Sequence, residues 1–412
     1  MNTTDATIDN KPCESELNGR FRWAVLLIAW GAMLTSFLDR IAWANIAVPA
    51  GHSFGVPVAA LGVFVTAFYV GYVIANCIGG IVTDRIGPKK MLVLSLLVLG
   101  VVTAGFSQVQ SVAHGLIMQS LMGVAAGADF AASVLIVAAW FDVKQRGRAV
   151  GILVTSSSAS LVLANALIPL ALAQYSWRSV YIILGAATSA YALLCGMTLR
   201  EAPQPPQKTN TVDVSRESSR PVSLFLDRNY VLLGIAGFGG LWGTWGFAFW
   251  ANALMTLGRH MSAQAAGNVM VMFGVGAVIS KPLIGFVSDR LGGKRKALVI
   301  ACWIAFSISL ALFGWLQSVT ALRIAVALLG AFAFAYTPLI TLMAGELVSR
   351  GRAASAIGLI NAFWQLGIVA VPPVVGAVFQ TTRSFPDAFL TLAAGPALAT
   401  VCMAFVREKK SF

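Results

Sequence analysis

Apolar runs of 17 or more residues recur from one end of this chain to the other, and runs of that length read as membrane-crossing helices. Twelve spans are predicted, over 23–49, 57–82, 91–107, 112–139, 149–172, 178–198, 230–256, 263–287, 297–315, 319–344, 353–378 and 386–406. In lipid, backbone N–H and C=O groups are satisfied only inside helices or closed barrels. Barrel strands alternate and run about 10 residues, so unbroken runs of this length predict helices. Of the 412 residues, 58% are hydrophobic and 11% charged, where a soluble domain carries about 25% charged residues. The expected fold class is an all-α membrane protein.

The net charge of +13 could suggest a nucleic-acid partner. Topology explains it better. With both termini in the cytoplasm, the cytoplasmic segments hold 23 of the 29 Lys and Arg residues, and the opposite side holds Arg178, Arg259, Arg323 and Arg383. That asymmetry follows the positive-inside rule. It predicts a multi-pass protein of the cell (inner) membrane with no nucleic-acid partner. Residues 1–22 are polar and include Asp5, Asp9, Glu14 and Glu16. No cleavable leader is expected, and the first span serves as an uncleaved insertion signal.

The five cysteines, Cys13, Cys77, Cys195, Cys302 and Cys402, have no paired spacing. His52, His114 and His260 fall at loops or span ends. Neither a disulfide framework, a metal site nor a cofactor is expected. No GxxxxGK[ST] phosphate loop and no Ser-His-Asp constellation is visible, so neither ATP-driven transport nor an enzyme is expected.

Residues 199–229 break the apolar pattern with a polar, proline-containing stretch that reads as a flexible cytoplasmic linker. The expected organisation is a tail over 1–22, a six-span half over 23–198, the linker, a second half over 230–406 and a short tail over 407–412. The halves repeat each other. Trp43-Ala44-Asn45 returns as Trp250-Ala251-Asn252. Gly80-Ile81-Val82-Thr83-Asp84-Arg85-Ile86-Gly87 returns as Gly285-Phe286-Val287-Ser288-Asp289-Arg290-Leu291-Gly292, and Arg146-Gly147-Arg148-Ala149 as Arg350-Gly351-Arg352-Ala353. The offsets of 207, 205 and 204 drift by only three residues. Parallel repeats of this kind imply a pseudo-two-fold axis along the membrane normal, with a cavity between the halves.

The loop pattern GxxxDRxGxKK over Gly80–Lys90, its echo over Gly285–Lys296 and the RGRA after Trp140-Phe141 resemble the major facilitator superfamily over essentially the whole chain. The resemblance implies two six-helix bundles that rock to give alternating access. The loop residues Asp84, Arg85, Asp289 and Arg290 can pair with nearby charges or helix ends as a conformational latch. A loop that only fixes topology is the alternative.

Ionisable groups inside spans are costly and are functional candidates by default. Four stand out: Asp39 and Arg40 in span 1, Asp129 in span 4 and Lys281 in span 8. Neighbours on a helix point about 100° apart, so Asp39 and Arg40 can both reach one cavity without pairing face to face. A buried pair that fixes helix packing is the plainer reading. The segment from Phe37 to Pro49 resembles span 1 of the anion:cation symporter family. There the Arg helps to bind an organic anion and the Asp takes part in proton coupling, roles that fall on Arg40 and Asp39. In span 4 that family carries an Arg and, seven residues on, an acid. Here Gln119 and Ala126 stand at those positions, with Asp129 one turn beyond. Asp129 can replace that acid or cap a helix contact. Lys281-Pro282, followed by Gly-Phe-Val-Ser-Asp, resembles span 8 of oxalate/formate and monocarboxylate transporters, whose basic residue binds a carboxylate. A Lys that snorkels to the cytoplasmic side is the alternative. Tyr336, beside the Thr337-Pro338 disturbance, and Asn361 and Gln365, one turn apart on one face, are further substrate-binding candidates.

The expected function is proton-coupled symport of a small mono- or dicarboxylate. Arg40 and Lys281 hold the anion, Asp39 or Asp129 carries the proton, and no oligomer is required. A drug/proton antiporter is the alternative, served by Trp242, Trp245 and Trp250. The GxxxGPxxGG motif of such exporters is absent from span 5.

Overall fold

A computed structural model describes residues 13–141, 143–200, 227–291, 295–346 and 353–407. The described residues form thirteen α-helices. In the first half these are α1 (Cys13–Phe54), α2 (Val58–Ile86), α3 (Pro88–Gly105), α4 (Val112–Ala126), α5 (Asp129–Trp140), α6 (Val143–Gln174) and α7 (Trp177–Thr198). The second half holds α8 (Arg228–Gly258), α9 (Ala263–Arg290), α10 (Arg295–Phe313), α11 (Val319–Glu346), α12 (Ala353–Thr382) and α13 (Phe385–Phe405). Eleven described segments are long and apolar enough to cross a membrane. The 29-residue α2, with its apolar stretch Ala60–Asn76, accounts for the twelfth expected span. The linker and the ends of both tails lie outside the described residues. The helix exteriors are apolar, with Leu27, Ile117, Met197 and Ile324 all exposed, which suits lipid rather than water.

The helix ends follow local chemistry. Ser111, Ser176 and Ser384 accept backbone N–H bonds at the starts of α4, α7 and α13, and Asp227 does so for α8. Each satisfies an N–H that the first turn leaves orphaned. Gly87 ends α2 at φ 88°, a conformation open to glycine, and Pro88 then starts α3. The glycine of the DRxG pattern is therefore a backbone requirement of this tight loop.

The fourth expected span is present as one span, Val112–Trp140. It is interrupted at Gly127-Ala128, where both residues keep right-handed helical dihedrals. The break lies where this span presses on α2. A Cβ on Gly123 would overlap the Phe68 carbonyl, and one on Gly127 would meet Ala75. As a consequence Asp129 opens the short helix α5 instead of lying in mid-helix.

Packing repeats between halves as the sequence does. Pairs α1/α6, α2/α4, α3/α7 and α1/α7 in the first half correspond to α8/α12, α9/α11, α10/α13 and α8/α13 in the second. The halves meet through α1 with α8, α2 with α12 and α6 with α9. These pairs map onto themselves or onto each other under the pseudo-two-fold.

Close approach of α2 and α4 makes a stability prediction. Gly123→Val should overpack the contact and destabilise the protein by about 1–3 kcal/mol. Gly151→Ala, at an open site on α6 with nothing within 4 Å of the added Cβ, should leave the melting temperature unchanged or slightly raised. Thermal unfolding of both variants in detergent checks the pair.

Candidate substrate site

Asp39 and Arg40 are adjacent on α1, yet the structure sends them to different places. Arg40 turns toward α2. Its guanidinium carbon lies 4.3 Å from the ring centres of Phe37 and Tyr72, 5.6 Å from Phe68 and 5.9 Å from Tyr69. Such rings favour a cation over their faces. Nε and Nη2 are buried with no hydrogen-bond partner. The acidic group whose field reaches Arg40, after those of the Tyr72 and Tyr69 hydroxyls, is Asp129 at the start of α5. Ser36, one turn before Arg40, donates to Asp129 Oδ2, while Oδ1 is buried and unpartnered. Asp129, at the first turn of α5, thus faces α1 through Ser36.

Asp39 instead points into the interior of the first half. Thr103 of α3 donates to its Oδ2 at 3.3 Å, and Thr188 and Tyr181 of α7 lie beside it. Asp39 and Arg40 do not share one cavity here. A step of about 100° per residue carries Arg40 to the interface and Asp39 to the inside of its bundle.

Lys281 sits on α9 where it packs on α6 of the other half. Its Nζ donates to Ser158 Oγ at 2.8 Å and Ser157 Oγ at 3.3 Å, and lies 5.0 Å from the Phe334 ring centre. The side chain is half-buried. It crosses to the opposite half rather than snorkelling along its own helix. Both partners are neutral hydroxyls, and among the described residues no acidic side chain balances it.

A run of rings joins the two cations. Tyr69 meets Phe249 at 5.8 Å, Phe249 stacks on Trp245 at 5.7 Å, and Trp245 meets Phe334 at 6.2 Å. The run starts in α2, crosses to α8 and ends in α11, under Lys281.

The remaining candidates are not all gathered here. Tyr336 is fully buried within the second half. Its hydroxyl lies 2.9 Å from Thr244 Oγ1 and its ring packs on Trp303. Those contacts are core packing, away from Arg40. Asn361 and Gln365 are half-buried on α12, and Gln365 Oε1 is a buried acceptor without a partner. Arg85 and Arg290 are exposed in the last turns of α2 and α9, with Arg290 4.0 Å from the Phe286 ring. The side chains of Asp84 and Asp289 lie outside the described set.

A cluster of asparagines ties the halves together. Asn252 Nδ2 donates to Asn45 Oδ1 at 3.0 Å and to Asn165 Oδ1 at 2.7 Å, tying α8 to α1 and α6. Asn45 and Asn252 are the last residues of the repeated Trp-Ala-Asn. The repeat was therefore the signal that could have paired them, since a pseudo-two-fold can bring equivalent residues face to face. Thr66 adds a bond to the Val369 carbonyl, 2.7 Å, between α2 and α12. Among the described residues these direct hydrogen bonds close the end of the molecule remote from the termini. A cavity of about 50 Å³ beside the pair is lined by Val48, Pro49, Thr256 and Ala263 among others.

Loss of this closure is measurable. Asn252→Ala removes two interhelical bonds, worth about 0.6 kcal/mol each in a membrane, and should shift the open-to-closed ratio at that end about eightfold. A cysteine placed at Thr256 should then react several-fold faster with an impermeant thiol reagent than it does with Asn252 intact.

Three comparisons bear on this arrangement. The chain is 22% identical to a probable sulfoacetate transporter of Cupriavidus necator, over 86% of each chain. It is 23% identical to a hexuronate transporter of Bacillus subtilis, over 91% of this chain and 92% of that one. The crystal structure of a D-xylose-proton symporter shares its fold, with a TM-score of 0.77 and 17% identity over 93% of this chain and 97% of that chain. The family model described as Major Facilitator Superfamily matches residues 28–266 and 243–411. With its spans in two repeated bundles, this chain is a transport protein, not an enzyme, and it belongs to the Major Facilitator Superfamily.

Proposed function

We propose that this protein is a secondary active transporter that moves a small organic anion together with protons by alternating access. The observation that carries this reading is Lys281. It is a cation between the halves whose hydrogen-bond partners are neutral hydroxyls. A cation away from water needs a counter-charge, and a substrate carboxylate supplies one. Arg40, with two unpartnered nitrogens and a wall of rings, is the second anchor. Gln365 can accept one further hydrogen bond. The names of the relatives, a sulfoacetate and a hexuronate transporter, agree with an anionic cargo.

Asp129 is the better placed of the two coupling acids. As a carboxylate it competes with the substrate for Arg40. A proton on Asp129 removes that competitor, so proton and anion favour each other's binding, and by linkage the effect is reciprocal. Asp39, held by Thr103 inside its bundle, has no such contact with Arg40. With both termini cytoplasmic, the hydrogen bonds at the far end fit a state closed on the opposite side of the membrane. The opposite state then closes the cytoplasmic end, where Asp84, Arg85, Asp289 and Arg290 act as the latch. A single chain suffices for this cycle.

Transport and binding measurements test the reading. In proteoliposomes with an inward proton gradient, a labelled carboxylate should accumulate, and binding should weaken as pH rises because Asp129 loses its proton and again competes for Arg40. Arg40→Ala and Lys281→Ala should each lower anion affinity by about 10- to 100-fold, the range of one charge-assisted hydrogen bond. Asp129→Asn should keep exchange and lose proton-driven accumulation. Proton-driven efflux of a lipophilic cation, without uptake of any anion, would overturn the proposal in favour of a drug antiporter.

A further inference from the structure

The lining between the two cations is aromatic, and that bears on what kind of anion fits. Trp245 is the central element. It is half-buried. One side of its ring is stacked on Phe249 with an interplanar angle of 27°, and Phe334 meets it at 80°. Phe249 and Phe334 are themselves 4% exposed, so they brace Trp245, which also packs against the first-half cluster that includes Phe37 and Leu153. Lys281, over Phe334, is half-buried at the far edge of the same group of rings.

The hydroxyl protons along α6 are mostly committed. Along α6, Thr155, Ser156 and Ser157 donate to carbonyls of their own helix one turn back, and Ser160 donates to Leu34 and Ser156 carbonyls. Thr337 donates to the Phe334 carbonyl. A polyhydroxylated acid placed here would exchange its water partners for rings, and buried hydroxyls without partners are penalised. A flat apolar body has no such loss and gains ring stacking. Charge points the same way. Among the described residues Lys281 has only neutral hydroxyls within hydrogen-bond reach, so a single carboxylate is the counter-charge that it lacks.

We propose that the cargo is an aromatic monocarboxylate, its carboxylate at Lys281 and its ring on Trp245. This inference rests on the anion-transport reading and narrows it. Trp245 is then the residue that sets specificity, and Lys281 supplies charge without shape.

The test uses the full-length protein in detergent and in proteoliposomes, with benzoate and phenylacetate against glucuronate, tartrate and propionate. Benzoate or phenylacetate should raise the melting temperature and drive uptake at concentrations at least tenfold below those needed for glucuronate or tartrate. Trp245→Ala should weaken aromatic acids at least tenfold and leave propionate within about threefold, while Trp245→Phe should keep most of the aromatic preference. The wild-type ranking stands on its own if Trp245→Ala does not fold. Uptake of glucuronate or tartrate in preference to the aromatic acids overturns this inference and leaves anion transport standing. An unchanged ranking in Trp245→Ala also overturns it. No uptake of any carboxylate brings down the anion reading itself, and this inference with it.

Discussion

Inside a bilayer there is no water to satisfy a stray polar group, and the molecule is organised around that shortage. The backbone answers it with helices throughout. Small side chains answer it locally: Thr198, Thr341 and Thr400 donate to carbonyls four residues back, and Ser53 and Ser156 to carbonyls three residues back. Indole N–H groups reach across to neighbouring helices, as Trp43 does to the Leu61 carbonyl and Trp364 to that of Leu233. Against this economy the exceptions are informative. Arg40, Asp39, Asp129, Asn45, Asn252 and Gln365 each keep a buried polar atom without a partner. Asn45 and Asn252 lie where the halves face each other.

Symmetry and its failure divide the labour. The repeated pairs of helices make two similar bundles, and the repeated Trp-Ala-Asn supplies an Asn from each bundle to one hydrogen-bonded closure. Where the first half carries Asp39-Arg40, the second carries Gly246-Phe247. Phe247 is wholly buried among Phe273, Phe313 and Phe389. Where the second half carries Lys281, the first carries Asn76. The charges are thus asymmetric additions to a symmetric frame, one on each side of the interface.

The two acids show how far sequence spacing carries such an argument. Asp39 is adjacent to Arg40 in the chain, and Asp129 lies 89 residues away, yet Asp129 is the one that acts on Arg40. Helical geometry already turned Asp39 and Arg40 about 100° apart. What spacing does not report is that the fourth span breaks at Gly127-Ala128. Tyr336 illustrates a second limit. A Tyr near a proline in a span looks available from its sequence, and only packing against Trp303 and Thr244 shows it to be core.

Hydrophobic runs longer than a bilayer's width, the basic asymmetry of the loops and three ordered repeats were enough, from sequence alone, for the membrane class, the twelve spans, the two-bundle fold and the superfamily. Those features depend on composition and period, which the chain carries locally. The buried ionisable residues were visible for a similar reason: a charge inside an apolar run is conspicuous at any resolution. Their partners were not visible. Which acid meets Arg40, which hydroxyls hold Lys281, which rings join the two cations and which asparagines close one end depend on helix rotation, on one broken helix and on contacts between residues as far apart as Asn45 and Asn252. Those relations exist only once the bundles pack, because packing, not period, decides which face of each helix meets which neighbour.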